Sequence, residues 1–289
     1  FINRQGEFYT LLRLAFINKF LTKSYAIILK LKGSKILTYA QLSVNHIELS
    51  NTKRVCMNVK KYWDAVFHLM VPNQCVICSN ELTKTEEVLC ACCWSELPLT
   101  NYENSNEPTH LDRLFWGRVQ LYSTYSLMFY RKNNFYKNVL YDLKYNYRPD
   151  IGVKFGEMLG SRMAQLPNFQ TVDVILPVPM HAKKKRARGY NQALAIAQGL
   201  SSKIGKPIND NLMERVQHNA SQTKMSRFNR WDNIKESFEA TALVQGYNHI
   251  LIVDDVITTG ATLESIIQQI QKKSPHIRIS VASLAVANK

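Results

Sequence analysis

The chain has 289 residues, enough for one or two domains, and its 46% hydrophobic content is ample for a packed core. Its formal net charge of +15 favours polyanionic partners such as nucleic acid, phosphorylated metabolites or an anionic membrane surface, without choosing among them. The most apolar stretch, Leu11 to Leu29, is broken by Arg13, Lys19 and Lys23, so neither a transmembrane segment nor a secretory signal is expected and a cytoplasmic location is.

Residues 1–56 hold nine Lys/Arg against two Asp/Glu, nearly half of the charge excess in one-fifth of the chain. They carry no nameable motif and form a basic N-terminal extension, left unassigned. The sequence starts at Phe1, and Met57 opens the first informative stretch, so the functional chain is expected to begin near Met57. The rival reading is a basic amphipathic anchor in which Phe16, Phe20 and Ile27 alternate with Lys.

Residues 57–97 form a small cysteine-bearing module. Cys75-Val-Ile-Cys78 and Cys90-Ala-Cys92-Cys93 are two C-x-x-C pairs, each able to place two thiolates on one tight turn. In a reducing compartment such pairs point to metal before disulfides. Cys75, Cys78, Cys90 and Cys93 are the expected ligands of a closed, structural zinc site with no open position for catalysis. Cys92 sits where it could replace a neighbour, and Cys56 is unpaired in sequence.

Residues 98–114, rich in Asn, Pro and Glu, read as a linker. From 115 to 289 strand-like and helix-like segments alternate, which predicts an α/β fold with a parallel sheet flanked by helices. Val119 to Phe129 reads as strand or hairpin, and Asn134 to Tyr145 and Val153 to Gln165 as helices. Val172 to Val178 is a buried strand and Tyr190 to Ile204 a helix. His249 to Asp254, Thr262 to Lys273 and Ile277 to Val286 read as strand, helix and strand.

Several polar residues carry competing readings. Lys144 ends a helix, where a cation suits the negative end of the dipole. Tyr141, Tyr145 and Tyr147 are spaced either for packing or for stacking on bases. The run His181 to Gln192 (HAKKKRARGYNQ) is strongly basic, and its cations suit a phosphate or a solvated loop. Gln222, Arg230 and Asn233 divide evenly between ligand contact and helix capping. His68, His110 and His181 have no ligand-like spacing.

The most specific stretch is ILIVDDVITTGATLESI, Ile250 to Ile266. An apolar strand ends in Asp254-Asp255, and the turn Thr258-Thr259-Gly260-Ala261-Thr262 leads into a helix. Backbone N–H groups and the positive end of a dipole at a helix start make a phosphate site. The threonines add hydroxyls, and Gly260 allows close backbone approach. Two carboxylates are unsuited to phosphate but accept hydrogen bonds from a vicinal diol. A sugar phosphate meets both demands.

This stretch resembles the signature for phosphoribosyl pyrophosphate (PRPP) in type I phosphoribosyltransferases. With Asp173 to Pro179, the basic run, Leu143-Lys144-Tyr145, the segment around Gln222 to Phe238 and the four-cysteine module in front, residues 57–289 are similar to the ComF family, associated with DNA uptake in natural competence. Lys185 stands where an apolar residue is expected, and residues 1–56 have no counterpart. The resemblance implies a phosphoribosyltransferase-like domain preceded by a zinc module. It implies Mg-PRPP held by Asp254, Asp255, Thr258, Thr259, Gly260, Ala261 and Thr262, and pyrophosphate beside the turn Pro177 to Met180. Lys183, Lys184, Arg186 and Arg188 would then lie in a closing basic loop. A phosphoribosyltransferase with an unread acceptor is the first expectation. The alternative is a non-catalytic competence factor that binds single-stranded DNA or a helicase partner through the same fold.

Overall fold

The computed structural model describes residues 73–105, 107–130, 136–215 and 238–287, apart from the side chain of Lys183. The N-terminal extension, Cys56, residues 57–72 with His68, and Gln222, Arg230 and Asn233 lie outside them. In chain order the described residues form α1 (Ala91–Ser95), α2 (His110–Phe115), β1 (Ser123–Tyr130), α3 (Lys137–Tyr145), α4 (Pro149–Met163), α5 (Pro167–Gln170), β2 (Val174–Pro177), α6 (Ala182–Arg188), α7 (Gln192–Ile204), β3 (Met213–Glu214), β4 (Glu239–Ala240), β5 (His249–Ile257), α8 (Ala261–Lys273) and β6 (Arg278–Ala287).

Four of the strands form one parallel sheet in the order β1-β6-β5-β2, and β3 pairs with β4 in a small antiparallel ribbon. The central strands β5 and β6 are covered on both faces, which is why their apolar runs do not alternate with polar residues. Side-chain alternation instead divides the core. Leu251 and Val253 of β5 join Phe155, Leu159, Ile196 and Leu200 of α4 and α7 on one face. Ile250 and Ile252 join Leu111 and Phe115 of α2 and Leu263, Ile266 and Ile270 of α8 on the other. The parallel sheet and flanking helices expected from the sequence are present, with each predicted element found within a few residues of its place.

The element starts follow local chemistry. Pro149 opens α4, where a missing N–H costs nothing. Asn191 caps α7 by accepting from the Ala193 N–H at 3.1 Å, and Gly205 ends that helix at φ 67°. Thr109 and Asp112 form a reciprocal capping box on α2. His249 is fully buried at the start of β5, with Nδ1 2.9 Å from Thr171 Oγ1 and Nε2 2.8 Å from Ser280 Oγ. Burial holds its pKa down to about 4, so it is a neutral, hydrogen-bonded core residue.

The stretch 98–114 is more ordered than its linker-like composition suggests. Phe129 N–H donates to Pro98 O at 2.8 Å and Thr100 N–H to Leu127 O at 3.0 Å, so this segment lies along the outer edge of β1. The cysteine-bearing segment packs into the same core as the sheet: Cys75, Leu82, Val88 and Cys93 share a cluster with Tyr125, Leu127 and Phe155. No helix among the described residues is long and apolar enough to cross a membrane.

Candidate functional site

Helix α7, which follows β2, covers one face of the sheet, and α8, which follows β5, covers the other. The chain therefore leaves the carboxyl ends of two adjacent strands in opposite directions. In open α/β sheets ligands bind at such a point of divergence. Asp254 and Asp255 sit at this end of β5, and the turn 258–260 leads from the strand into α8.

Both carboxylates are partly buried. Asp254 Oδ1 accepts from the Asp255 N–H at 2.8 Å, and Asp255 Oδ1 from the Val256 N–H at 2.7 Å. Burial, and then the neighbouring Asp255 carboxylate, push the Asp254 pKa up to about 7. Lys144 Nζ lies 2.9 Å from Asp255 Oδ2. The sequence assigned Lys144 to the dipole of its own helix; its partner is the acidic pair, 111 positions away along the chain.

In the turn, Thr258, Thr259 and Ala261 are exposed, Thr262 is half-buried and Gly260 is buried. Gly260 has φ 73°, and a Cβ there would meet Phe115 Cε1 at 2.8 Å, so both conformation and space require glycine. The N-cap residue Gly260 has no side chain to cap α8; the Ala261 N–H donates to Thr259 Oγ1 at a long 3.4 Å, and the helix start lies at the exposed turn. Arg118, which carries no recognisable sequence signal, reaches this turn: Nη1 donates to Thr259 O at 2.7 Å and to Leu114 O at 3.0 Å, while Nε and Nη2 hold Glu264.

The basic run expected as a loop is a short helix, α6. Lys184 and Arg186 are exposed on it. Arg188 is half-buried; its Nη1 donates to Gln192 Oε1 at 3.1 Å and its guanidinium lies 5.5 Å from the Tyr145 ring centre. Tyr190 donates to Leu143 O, which ties the Arg188–Gln192 stretch to the end of α3. Asn191 Nδ2 donates to Val178 O at 3.1 Å and Val178 N–H to Val253 O at 2.9 Å, so the turn after β2 abuts the end of β5. Gln192 is 1% exposed, and its Nε2 has no hydrogen-bond partner among the described residues. An unsatisfied buried donor is uncommon in a native structure. Leu143–Tyr145, Arg188–Gln192 and Asp254–Asp255 are thus assembled around one end of the sheet. His110 Nε2 lies 3.2 Å from Ala287 O at the end of β6.

The ligand atoms of Cys75, Cys78, Cys90 and Cys93 all lie within 4.8 Å of one another, and Cys78 Sγ is 3.6 Å from Cys90 Sγ. Four thiolates around a tetrahedral ion with bonds of about 2.3 Å would be about 3.8 Å apart. Burial raises the Cys75 pKa, but N–H groups of Cys78, Cys90 and Ile77 outweigh it and hold the thiol at about 7, while burial and the crowding of the neighbouring thiols push Cys93 up. The donor set can hold a metal such as zinc. Cys92 is exposed and outside this group, whose fourth member is Cys93.

Residues 190–289, from the start of α7 through β5, the turn, α8 and β6, match the phosphoribosyl transferase domain. Competence protein F of Haemophilus influenzae is 36% identical over 102 residues, 35% of this chain and 44% of that protein. The chain is homologous to competence protein F. DNA utilization protein YhgH of Salmonella typhimurium is 31% identical to this chain over 133 residues, 45% of the chain and 58% of the relative. YhgH of Escherichia coli K12 is 27% identical over 202 residues, 67% of the chain and 82% of the relative. The chain thus spans about half the length of the first two relatives.

Proposed function

We propose that this chain binds Mg-PRPP, or a closely related sugar phosphate, and acts as a phosphoribosyltransferase-type protein in the uptake or use of DNA. The observation that carries the reading is the junction of β5 and α8: two partly buried carboxylates, then the exposed turn 258–260 and a helix start whose N-cap is a glycine. Asp254 and Asp255 would accept from the ribose diol, and the N–H groups and hydroxyls of Thr258 to Thr262 would hold the 5′-phosphate. Pro177 to Met180 and the cations Lys183, Lys184, Arg186 and Arg188 would face pyrophosphate. Magnesium would be held mainly by the ligand's own oxygens and water, and would neutralise phosphate charge. The protein's part is to fix the sugar phosphate and exclude water while the bond to pyrophosphate weakens. A structural zinc ion in the four-cysteine cluster fits the donor set.

A second reading has its own support. Tyr141, Tyr145 and Tyr147 are 56%, 54% and 62% exposed, beside Arg188 and the basic α6. Exposed rings next to cations suit single-stranded nucleic acid, as a non-catalytic DNA factor or helicase partner would require.

Calorimetric titration of Mg-PRPP into the full chain tests the first reading. Micromolar-range binding is expected, weakened about 100-fold or more in Asp254→Ala/Asp255→Ala, since two charged hydrogen-bond acceptors are lost. No binding by folded, zinc-loaded wild-type protein would overturn it. An oligonucleotide titrated into the same protein, bound tightly at low salt and released at high salt, would then favour the second.

A further inference from the structure

Glu264 occupies the first turn of α8, the same helix end whose N-cap residue, Gly260, offers no side chain. A carboxylate there stabilises the helix but repels any anion that approaches its N-terminus. Arg118 removes that conflict. Its Nε donates to Glu264 Oε2 at 3.0 Å, its Nη2 bonds the same oxygen, and the pair is only 30% and 22% exposed. Its Nη1 spans Leu114 O and Thr259 O, so one guanidinium joins α2, the turn and the first turn of α8. Phe115, which lies against Gly260, also packs 5.9 Å from the Arg118 guanidinium. Of the five N–H donors of an arginine, four are engaged in these bonds, which leaves little for direct contact with a ligand.

We propose that Arg118 is a positioning residue that makes the Thr258–Thr262 turn competent to bind a phosphate group, by neutralising Glu264 and drawing its carboxylate onto the guanidinium. This rests on the reading of the turn as the phosphate end of a sugar-phosphate site. The guanidinium fork is needed because one side chain must serve a carboxylate and two carbonyls at once, a geometry that lysine cannot supply.

The test is Mg-PRPP affinity in wild type, Arg118→Gln, Glu264→Gln and the double variant, with thermal unfolding of each as a check on folding. Arg118→Gln leaves one carboxylate uncompensated near the bound phosphate. It is expected to weaken binding about tenfold, the size of one unit charge several ångströms away at an intermediate effective dielectric. Glu264→Gln alone should bind as tightly as wild type or a few-fold tighter. The double variant should recover most of the loss, because the repelling charge is gone. If Arg118 served only to brace the loop, the double variant would stay as weak as Arg118→Gln, and that result overturns the proposal. So does unchanged affinity in Arg118→Gln, or a tenfold loss in Glu264→Gln, which decides the matter should Arg118→Gln fail to fold. In each of these cases wild type still binds and the sugar-phosphate reading stands. Absence of binding in wild type would remove both.

Discussion

At the residue scale, the adjoining carboxylates Asp254 and Asp255 differ in their surroundings. Asp255 has a lysine at 2.9 Å, whereas Asp254 is held near 7 by burial and by its neighbour's charge. A diol donates to ionised carboxylates, so affinity for Mg-PRPP should fall as Asp254 takes up a proton. Between pH 8 and pH 6 the loss should be about tenfold in wild type. It should be smaller in Asp254→Asn, where only the ligand's own phosphates still titrate; parallel calorimetric titrations across that range check this. The same shift acts on stability with the opposite sign. A carboxyl whose folded pKa is raised contributes stability below its unfolded value near 4 that is lost as pH rises through about 7. The site therefore binds best where it costs the fold most. His249 runs the other way: its folded pKa of about 4 gives stability that is present above its unfolded value near 6.5 and lost as pH falls toward 4.

At the element scale, the position of α7 depends on how closely it lies against α4. Cβ atoms at Gly156 and Gly199 would collide with the backbone carbonyls of Ile196 and Val153 on the facing helix. The two helices touch through backbone, which cannot repack as a side chain can. Gly199→Ala should destabilise the protein by about 3 kcal/mol, read as a lowered urea midpoint. Gly246→Ala, with nothing within 4 Å of the added Cβ, should stay near wild type. Because Asn191 and Gln192 begin α7, a displaced helix would also misplace the Arg188–Gln192 stretch. The sequence marked a helix over Tyr190 to Ile204. It could not mark the close approach, since no local pattern says which helix will lie opposite a glycine.

At the scale of the molecule, the cysteine-bearing segment and the sheet share one core. Cys75 and Cys93 are buried in the cluster that contains Tyr125, Leu143 and Phe155. Removing a bound metal would leave deprotonatable thiols crowded inside that core, so its loss should be felt beyond the segment itself. Chelation of zinc-loaded protein should lower the thermal midpoint by roughly 10 °C or more, in one transition followed by circular dichroism. Re-addition of zinc should restore it. Two separate transitions would show that the segment unfolds on its own.

What the sequence determined by itself is whatever depends on neighbours along the chain. The alternation of apolar runs announced a parallel sheet between helices, the paired C-x-x-C spacings announced the thiol cluster, and Asp254 to Thr262 announced a carboxylate pair before a helix start. Each is set by dihedral preferences and side-chain chemistry within a few residues. Only the tertiary structure decided which charges face one another. Lys144 meets Asp255, Arg118 meets Glu264 and Thr259, and Cys93 rather than Cys92 turns toward the other thiols. The first two contacts join residues more than a hundred positions apart, and Cys93 is chosen by the direction in which a short helix presents its side chains. Such choices follow from how helices pack on a twisted sheet, and packing is a property of the whole chain.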